Sequence, residues 1–257
     1  MNNTTETPGA AAEAESREFS LRNGKAESLV LYCVGEFHMK KKGTVFIVLG
    51  LLLIVGAFGL TAYNLITQDR AEKASAEIMG ALEQVLPETR EVENGIYVDS
   101  VPENSDVYTA PTYEVPDYIL NPDMDMPTIT VGNATYVGTI SIPVLDLELP
   151  IHSDWDYTKL KTAPCVFSGT IYKDDLVICA HNYRKHFSKL RTLHSGDTVV
   201  ITDADGNEFV YEVWEIEILQ PTDLEAMIES DYDLTLYTCT TGGKTRLTVR
   251  CNKVEKY

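Results

Sequence analysis

An uncharged, apolar run over residues 43–68 constrains this chain more than any other feature of its sequence. The core of the run reads TVFIVLGLLLIVGAFGLTAYNLI. A helix needs about 20 apolar residues to cross about 30 Å of hydrocarbon, so the run predicts one transmembrane helix. A buried core helix and a cleaved signal peptide are the alternatives. The run is too long for a signal peptide and lacks an A-x-A cleavage site.

The charges on either side of this run predict its orientation. Lys40, Lys41 and Lys42 precede it, whereas Asp69 ends it and further acidic residues follow. The positive-inside rule places the lysines in the cytoplasm and the acidic part outside the cell. We therefore expect a single-pass cell-membrane protein with a cytoplasmic N-terminus.

The N-terminal segment divides into two stretches of different character. Residues 1–38 are rich in Ala, Glu, Ser and Thr at their start, a composition typical of unstructured chain. The run Met39-Lys40-Lys41-Lys42 that follows resembles the start of a bacterial membrane protein. We therefore expect translation to begin at Met39 and residues 1–38 not to be translated. The predicted boundaries are then a cytoplasmic tail over 1–42 and a signal-anchor over 43–68.

The charge composition excludes one large class of function. The chain carries 21 Lys and Arg against 39 Asp and Glu, and residues 1–68 hold six of each sign. The entire net charge of −18 therefore lies beyond the membrane segment. A nucleic-acid-binding protein needs clustered basic residues to neutralise phosphates, so we expect no nucleic-acid partner. Five cysteines are too few for a disulfide scaffold.

Residues 69–127 are predicted to connect the membrane to a folded domain. Residues 69–86 place apolar side chains at Ile78, Leu82 and Leu86, a helical spacing that Pro87 ends. Residues 87–127 hold six of the eleven prolines and ten acidic residues, which indicates a stiff, extended linker. Its last part, YILNPDMDMP, is the alternative candidate for a segment that packs on the domain or covers a groove.

The pattern changes to short strand-like runs over residues 128–257. Turn signals separate these runs, and such spacing is typical of a closed or nearly closed β-barrel. The predicted strands span residues 136–147, 147–152, 175–181, 198–202, 209–219, 234–240 and 245–255, and short helices are predicted near 156–161, 186–193 and 222–229.

The last two strands form a predicted hairpin that brings a thiol and a guanidinium together. If Gly242 and Gly243 are the turn residues of a type I′ hairpin, counting outward pairs Cys239 with Arg246. Directly opposed side chains on one face have Cβ atoms about 5 Å apart. Arg250 lies on the same face but roughly 13 Å further along, at about 3.3 Å per residue. Cys251 points to the opposite face.

This pair suits nucleophilic catalysis. A cation beside a cysteine favours the thiolate, and the same cation stabilises an oxyanion after attack on a carbonyl. A general acid is also required, and His181 ends the apolar strand LVICAH where it enters a loop. A packed core cysteine and a surface histidine are the alternative interpretations of these residues.

The sequence Leu234-Thr235-Leu236-Tyr237-Thr238-Cys239 resembles the TLxTC signature of sortases. His181-Asn182-Tyr183 upstream and Arg246 downstream match the family's order of His, Cys and Arg. The resemblance implies a mostly β fold, a sortase-like eight-stranded β-barrel with short helices over residues 128–257, preceded by one transmembrane helix.

The resemblance also implies an activity. Sortases are membrane-anchored cysteine transpeptidases that cleave an LPxTG-like C-terminal sorting motif through a thioacyl-enzyme. Cys239 would be the nucleophile, His181 the general acid and base, and Arg246 the residue that stabilises substrate and oxyanion. Thr238 and Asn182 would help to bind substrate. The partners would be surface proteins with a sorting signal and an acceptor amine on a cell-wall precursor or pilin, and no cofactor or metal is expected.

Some features depart from the commonest family pattern. Ala180 precedes the histidine, where many relatives have Gly. The His-Asn pair is similar to class B sortases. The connection over residues 219–233 is short, however, whereas class B has a long helical insertion there. The subclass is therefore open, with class B- or D-like features. No second hydrophobic span follows the catalytic region, which argues against class C. The sorting motif therefore stays open.

Alternatives to this activity stay open as well. One is another cell-wall thiol enzyme, an L,D-transpeptidase or a papain-like hydrolase, although neither sequence pattern fits. Another is a membrane-tethered β-barrel binding module without catalysis. Cys179 is a rival nucleophile or a packed strand residue, and Cys165 and Cys251 are candidates for a disulfide. The acidic turn at Asp203, Asp205 and Glu208 is expected to be solvated rather than metal-binding.

Overall fold

A computed structural model of the chain describes residues 41–89, 92–93, 96–97 and 115–254. The expected initiator Met39 and the expected untranslated segment 1–38 lie outside the described residues. The chain divides into two compact units, Met1–Thr61 and Ala62–Tyr257. In the first unit the described residues are helical, and their large apolar side chains from Val45 to Leu60 are exposed.

The predicted transmembrane and juxtamembrane helices are one continuous helix, α1 (Lys41–Leu82, 42 residues). Its stretch from Gly43 is long and apolar enough to cross a membrane, with a mean hydropathy of 2.7 over the most apolar window. The helix ends at Leu82 rather than next to Pro87. A turn that includes a hydrogen bond from Leu86 N–H to the Leu82 carbonyl follows it. A proline disfavours helical backbone at the residue that precedes it, so the chain leaves the helix before Pro87.

The rest of the described chain is built mostly from short strands. The strands are β1 (Val92–Glu93), β2 (Ile96–Tyr97), β3 (Ile129–Val131), β4 (Ala134–Ile142), β5 (Leu147–His152), β6 (Cys165–Ser168), β7 (Leu176–Cys179), β8 (Thr198–Asp203), β9 (Glu208–Leu219), β10 (Leu234–Cys239) and β11 (Arg246–Lys253). Two short α-helices are α2 (Asp117–Leu120) and α3 (Leu224–Ile228), and 3-10 turns span Pro143–Leu145, Lys159–Lys161, Ile171–Lys173 and Phe187–Thr192.

Eight of these strands close into a barrel, as predicted. Their order is β4-β5-β6-β7-β10-β11-β9-β8, and β8 pairs with β4 to complete the circle. The β5–β6 and β7–β10 pairs are parallel and the others antiparallel. β3 pairs antiparallel with the first residues of β4. β1 pairs with β2 in a separate two-stranded sheet. The apolar core fills the barrel, with Ile140, Ile178, Leu236 and Val249 fully buried.

Gly138 makes the closure possible. It lies in β4 with φ of +144° and pairs with β5 on one side and β8 on the other. A Cβ added at this position would lie 1.9 Å from the backbone oxygen of Thr202. Only glycine allows the two backbones to approach this closely, so the residue is required by the barrel geometry.

The predicted strand over 136–147 is wrong in one respect. It breaks at Pro143, which begins a 3-10 turn between β4 and β5. Proline fixes φ near −65° and has no N–H for a ladder, so the chain turns there. Asp146 then adopts left-handed backbone, with φ of 50°, and β5 starts at Leu147.

The segment that precedes β3 packs on the barrel. The Tyr118 ring stacks on Tyr172 with centroids 4.9 Å apart and contacts Phe209 at 5.2 Å, and Asp123 pairs with Lys173 at 2.9 Å. Phe209 lies near the start of β9, about 33 Å along the strand from its last residue at roughly 3.3 Å per residue. That last residue, Leu219, is the partner of Arg246. These contacts support the packing interpretation over a cover for the predicted site.

The acidic turn was predicted to be solvated, and this is wrong for Asp203. The Asp203 side chain is buried at 1% exposure. It accepts hydrogen bonds from the Tyr172 hydroxyl at 2.8 Å and from the Asn207 backbone and side-chain amides at 2.8 Å each. The carboxylate is thus a structural group that ties the β8–β9 turn to the neighbouring 3-10 turn.

Candidate active site

The C-terminal hairpin has the predicted register. Cys239 and Arg246 are direct Cα partners, and Thr235 pairs with Arg250. The turn itself differs from the prediction, because Gly243 N–H donates to the Thr240 carbonyl at 2.8 Å. This bond places Thr241 and Gly242, rather than the two glycines, at the centre of the turn. The register survives because Thr240 N–H still bonds the Thr245 carbonyl at 3.0 Å.

His181 lies on the other side of Cys239. The strand β7 runs parallel to β10, with Tyr237 paired to Cys179, and Ala180 N–H donates to the Tyr237 carbonyl at 3.2 Å. Continuing this register by two residues brings His181 level with Cys239. The three predicted catalytic residues therefore stand at the same end of three adjacent strands, with the cysteine in the middle.

Thr238 has a different environment from the one expected. Its side chain points into the barrel, is 1% exposed and donates a hydrogen bond from Oγ1 to the Ala180 carbonyl at 2.8 Å. This bond ties the residue before His181 to the residue before Cys239. The position leaves no surface for a substrate, so Thr238 fixes the spacing between the two strands. Asn182 directly follows His181 and is half-buried, and its role stays a prediction.

The His181 imidazole sits among aromatic rings. The Tyr157 ring meets it edge-on at 5.6 Å, and the Tyr183 ring lies 4.7 Å away. Nε2 is buried and has no hydrogen-bond partner among the described residues. Burial, and to a smaller degree the charge of Lys161, lowers the pKa of His181. The neutral imidazole is therefore the prevalent form at neutral pH.

Arg246 keeps most of its hydrogen-bonding capacity for other groups. Its Nη1 donates to the carbonyls of Gly243 and Thr245, each at 3.3 Å. A guanidinium has five N–H donors, and the side chain is half-buried beside a pocket. The turn carbonyls hold the side chain in place while other donors remain for a carboxylate, carbonyl or oxyanion.

A pocket of about 180 Å³ opens beside Arg246 and Tyr237. Trp155, Phe167 and residues of the 219–233 connection line it as well. The residues that this connection contributes are mixed in character: Gln220, Pro221, Asp223, Leu224 and Met227. The 219–233 connection thus borders this pocket together with Trp155, a residue that the sequence analysis did not single out.

Arg250 holds the 219–233 connection in place through buried hydrogen bonds. It is 2% exposed, its Nε donates to Glu217 at 2.7 Å, and its Nη1 donates to Thr235 Oγ1 at 2.8 Å. It also donates to the carbonyls of Ala226 and Met227 at 2.5 and 3.3 Å. The expectation that Arg250 is too distant to act with Cys239 agrees with this structural position.

The other described cysteines are packed in the interior. Burial raises the pKa of Cys165 to about 11 and those of Cys179 and Cys251 to about 12. Cys165 faces Cys179 across β6 and β7, whereas Cys251 belongs to the main core. The candidate disulfide between Cys165 and Cys251 is wrong, since all four described cysteines are free. Only Cys239 among them is half-buried.

Sequence reasoning missed the helix face that contacts this site. The prediction placed Ile78, Leu82 and Leu86 on the apolar face, whereas the buried residues are Ala71, Ser75, Met79 and Leu82. The spacing of four, four and three residues is helical, but Ala and Ser are weak hydrophobic signals. In the part of the chain that the structure describes, no group of three or more His, Cys, Asp or Glu is arranged to hold a metal.

Residues 140–254 match the family model of the sortase domain. No curated protein matches the chain. Similar solved structures include sortase C1 from Streptococcus suis, 25% identical over 48% of this chain and 74% of that one, with a TM-score of 0.42. Sortase A from Corynebacterium diphtheriae, a lid mutant, is 27% identical over 49% and 74% with a TM-score of 0.43. Sortase C from Clostridium perfringens SM101 is 25% identical over 56% and 77% with a TM-score of 0.42.

The family assignment rests on the domain match, which begins within β4 and ends just past β11. It therefore covers most of the closed barrel, including every strand that carries a predicted catalytic residue. Residues 140–254 are thus a sortase domain, the domain of a sortase-type cysteine transpeptidase.

Proposed function

We propose that Cys239, His181 and Arg246 form the catalytic centre and that the substrate is a protein with an LPxTG-like C-terminal sorting motif. One observation carries the proposal. Cys239, the only half-buried thiol among the described cysteines, lies directly opposite Arg246 and level with His181. A nucleophile, a general acid and an oxyanion donor are the three groups that acyl transfer requires.

In the first half-reaction the substrate transfers its acyl group to Cys239 of the enzyme. Proton transfer from the Cys239 thiol to His181 produces a thiolate and an imidazolium. The sulfur attacks the carbonyl carbon of the motif's Thr, and Arg246 stabilises the resulting oxyanion. When the Thr–Gly C–N bond breaks, the departing amine takes the proton from His181, leaving a thioester on Cys239 and a neutral imidazole.

In the second half-reaction an amine replaces the cysteine. The acceptor nitrogen attacks the thioester carbon, and neutral His181 removes the proton that the nitrogen loses as the amide forms. The C–S bond breaks and the thiolate leaves, and the proton returns from His181 to Cys239. The proposed acceptor is an amine on a cell-wall precursor or a pilin, so the product is a surface protein attached to a new partner.

The proposed arrangement in the cell follows from the charge pattern. Lysines precede the apolar helix and acidic residues follow it, which supports a single-pass protein with a cytoplasmic N-terminus. The proposed boundaries are a tail over 1–42, a signal-anchor over 43–68, a connecting segment over 69–127 and the catalytic domain over 128–257. A catalytic domain outside the cell would meet its substrates there.

Intact mass spectrometry of the full chain in detergent micelles tests the proposal. The protein is incubated with LPxTG, NPxTG and related peptides, as wild type, Cys239→Ala and, as a matched control, Cys179→Ala. We expect an added mass equal to the acyl fragment with one peptide, absent in Cys239→Ala and retained in Cys179→Ala. An adduct that persists in Cys239→Ala would overturn the assigned nucleophile. No adduct with any peptide, from a protein whose Cys239 alkylates normally, would overturn the proposed motif class.

A further inference from the structure

The part of α1 in the second compact unit buries one face. Ala71, Ser75, Met79 and Leu82 are 4%, 5%, 8% and 0% exposed, whereas Glu77 on the same helix is exposed. A polar side chain in the middle of such a face needs hydrogen-bond partners, since an unsatisfied buried hydroxyl is costly. The hydrogen-bond partners of Ser75 therefore show which segments this helix contacts.

Ser75 joins two separate segments of the catalytic domain. Its Oγ donates to the Thr162 carbonyl and lies 3.3 Å from His186 Nε2. A hydroxyl has one proton, and a carbonyl can only accept, so the proton points to Thr162. His186 must then donate its Nε2–H to Ser75. One buried hydroxyl thus determines the tautomer of a buried histidine and links residue 162 to residue 186.

These two segments lie on either side of His181. The turn that ends at Thr162 carries Tyr157, whose ring meets the His181 imidazole edge-on, and Lys161, whose charge acts on it. The loop that ends at His186 carries Tyr183, whose ring lies 4.7 Å from the imidazole of His181. Phe187 N–H closes this loop by donating to the His181 carbonyl at 3.3 Å. Whatever holds the two segments together also sets the space that the imidazole occupies.

A second set of contacts holds the same loop to α1. Arg184 Nη2 lies 3.4 Å from a Glu72 oxygen, and Lys185 Nζ lies 3.9 Å from the other. The backbone N–H of Arg184 donates to Gln68 Oε1 at 3.4 Å. Glu72 and Ser75 are three residues apart on one helix face, so α1 holds the 182–186 loop at two points.

We propose that Ser75, assisted by Glu72, is a positioning residue that aligns His181 for proton transfer to and from the substrate. The proposal rests on the proposed catalytic role of His181. The helix that leads from the membrane segment is then part of the catalytic apparatus, although it never touches the reacting atoms. Misplacing a catalytic group by about 1 Å can cost roughly a hundredfold in rate, so a loosened loop should affect turnover.

The test compares Ser75→Ala and Glu72→Gln with the wild type and with Glu77→Gln, a matched control on the exposed side of α1. All variants are full chains in detergent micelles. The first measurement is the titration of His181 by NMR with isotopically labelled histidine. The titratable and charged groups around its imidazole are Tyr157, Tyr183, Lys161, His186 and, on the adjacent strand, Cys239. Burial now lowers its pKa. We expect Ser75→Ala to raise that pKa toward its ordinary value, because the loosened loop admits water.

The second measurement is peptide acylation. We expect kcat in Ser75→Ala to fall roughly tenfold with KM within about twofold, because the peptide pocket beside Arg246 does not involve α1. Glu72→Gln should change both readouts in the same direction by a smaller factor, since its ion pairs are partly exposed. Glu72→Gln also controls for a simple loss of helix packing, because this substitution keeps the side-chain shape and leaves the buried Ser75 contacts intact.

The outcomes separate the two proposals. If the wild type acylates no peptide, the proposed function fails, while the NMR titration still reports on the helix contact. If His181 titrates alike in the wild type, Ser75→Ala and Glu77→Gln, the positioning proposal is overturned even when acylation proceeds. A uniform loss of thermal stability in Ser75→Ala, with an unchanged His181 titration in its folded state, would also overturn it.

Discussion

Cys239 and Arg246 are direct cross-strand partners, one the last residue of β10 and the other the first residue of β11. Opposed side chains in an antiparallel pair project to the same face, so the thiol and the guanidinium lie together at the turn end of the hairpin. The hairpin alone therefore sets the distance between the proposed nucleophile and a cation. His181 comes from a different strand, and its position depends on the parallel β7–β10 pair.

The first prediction concerns Arg246. We expect Arg246→Gln to lower kcat/KM for peptide acylation by about 10² to 10³, because it removes a charged donor aimed at the oxyanion. The measurement is initial rates of adduct formation by intact mass. Lys244→Gln, in the exposed turn next to it, is the matched control and should retain nearly full activity. Equal rates in Arg246→Gln and the wild type would exclude the proposed role.

The second prediction concerns Arg250, which is buried on the same strand on which Arg246 is half-buried. Arg250→Gln should lower the free energy of unfolding by about 2–4 kcal/mol, because it leaves the Glu217 carboxylate and two backbone carbonyls without their buried donor. Urea denaturation measures this. Arg191→Gln is the control, since Arg191 is exposed and surface substitutions usually stay within about 0.5 kcal/mol.

The same variant should also affect substrate binding. Arg250 holds the α3 segment, and that segment forms one wall of the pocket beside Arg246. We expect KM for the peptide to rise in the folded fraction of Arg250→Gln while alkylation of Cys239 proceeds at its usual rate. An unchanged KM would show that the pocket wall does not depend on this arginine.

The third prediction is a dependence of stability on pH. Burial is the main cause that lowers the pKa of both His152 and His186 to about 4, against an ordinary value of 6.5. Between pH 6.5 and 4 the unfolded chain binds these protons and the folded chain does not. Stability is therefore fully present above pH 6.5 and falls with decreasing pH, by about 1.4 kcal/mol per pH unit for each histidine.

Chemical denaturation between pH 7 and 4.5 measures this slope. His152→Gln keeps a group able to donate to Thr162 Oγ1, which lies 3.0 Å from His152 Nε2, but cannot titrate in this range. We expect it to reduce the slope by the contribution of one histidine. His194→Gln is the control for the substitution itself, because the His194 side chain is 86% exposed and lies outside the packed interior. Identical slopes in all three proteins would contradict the prediction.

The fourth prediction concerns thiol reactivity. The experiment uses the full chain with its fifth cysteine, Cys33, replaced by serine. Native protein at neutral pH should then incorporate one iodoacetamide label, at Cys239. Cys165, Cys179 and Cys251 are 0%, 2% and 0% exposed, and burial raises their pKa values to about 11 or 12. Peptide mapping locates the label, and all four cysteines should react once the protein is denatured. Native labelling of Cys179 would revive it as a rival nucleophile.

Local sequence patterns predicted much of this fold. The strands β8 to β11 and the turns between them follow from alternating apolar residues and glycine or aspartate turn signals. The Cys239–Arg246 pairing follows from counting outward from a short turn, because hairpin partners are close in sequence. The pairing was correct even though the turn differs in type, since the count is symmetric about the same two glycines.

Burial, by contrast, required the folded chain. The sequence predicted Asp203 to be one residue of a solvated acidic turn. It is instead buried, and Tyr172, which is distant in sequence, donates a hydrogen bond to it. Thr238 reads as a motif residue that binds substrate, yet its hydroxyl bonds the Ala180 carbonyl inside the barrel. The partner of a polar side chain comes from another segment, and no periodicity in its own segment reveals that partner.

Local sequence features were enough to predict the long apolar helix, the barrel class and the pairing of Cys239 with Arg246. These depend on hydropathy, strand period and turn chemistry, which act over a few neighbouring residues. The folded chain was needed to show that β7 lies beside β10, that Arg250 is structural and that Ser75 links the two segments around His181. Those relationships join residues dozens of positions apart, and they exist only because the closed barrel and the packed helix bring the segments together.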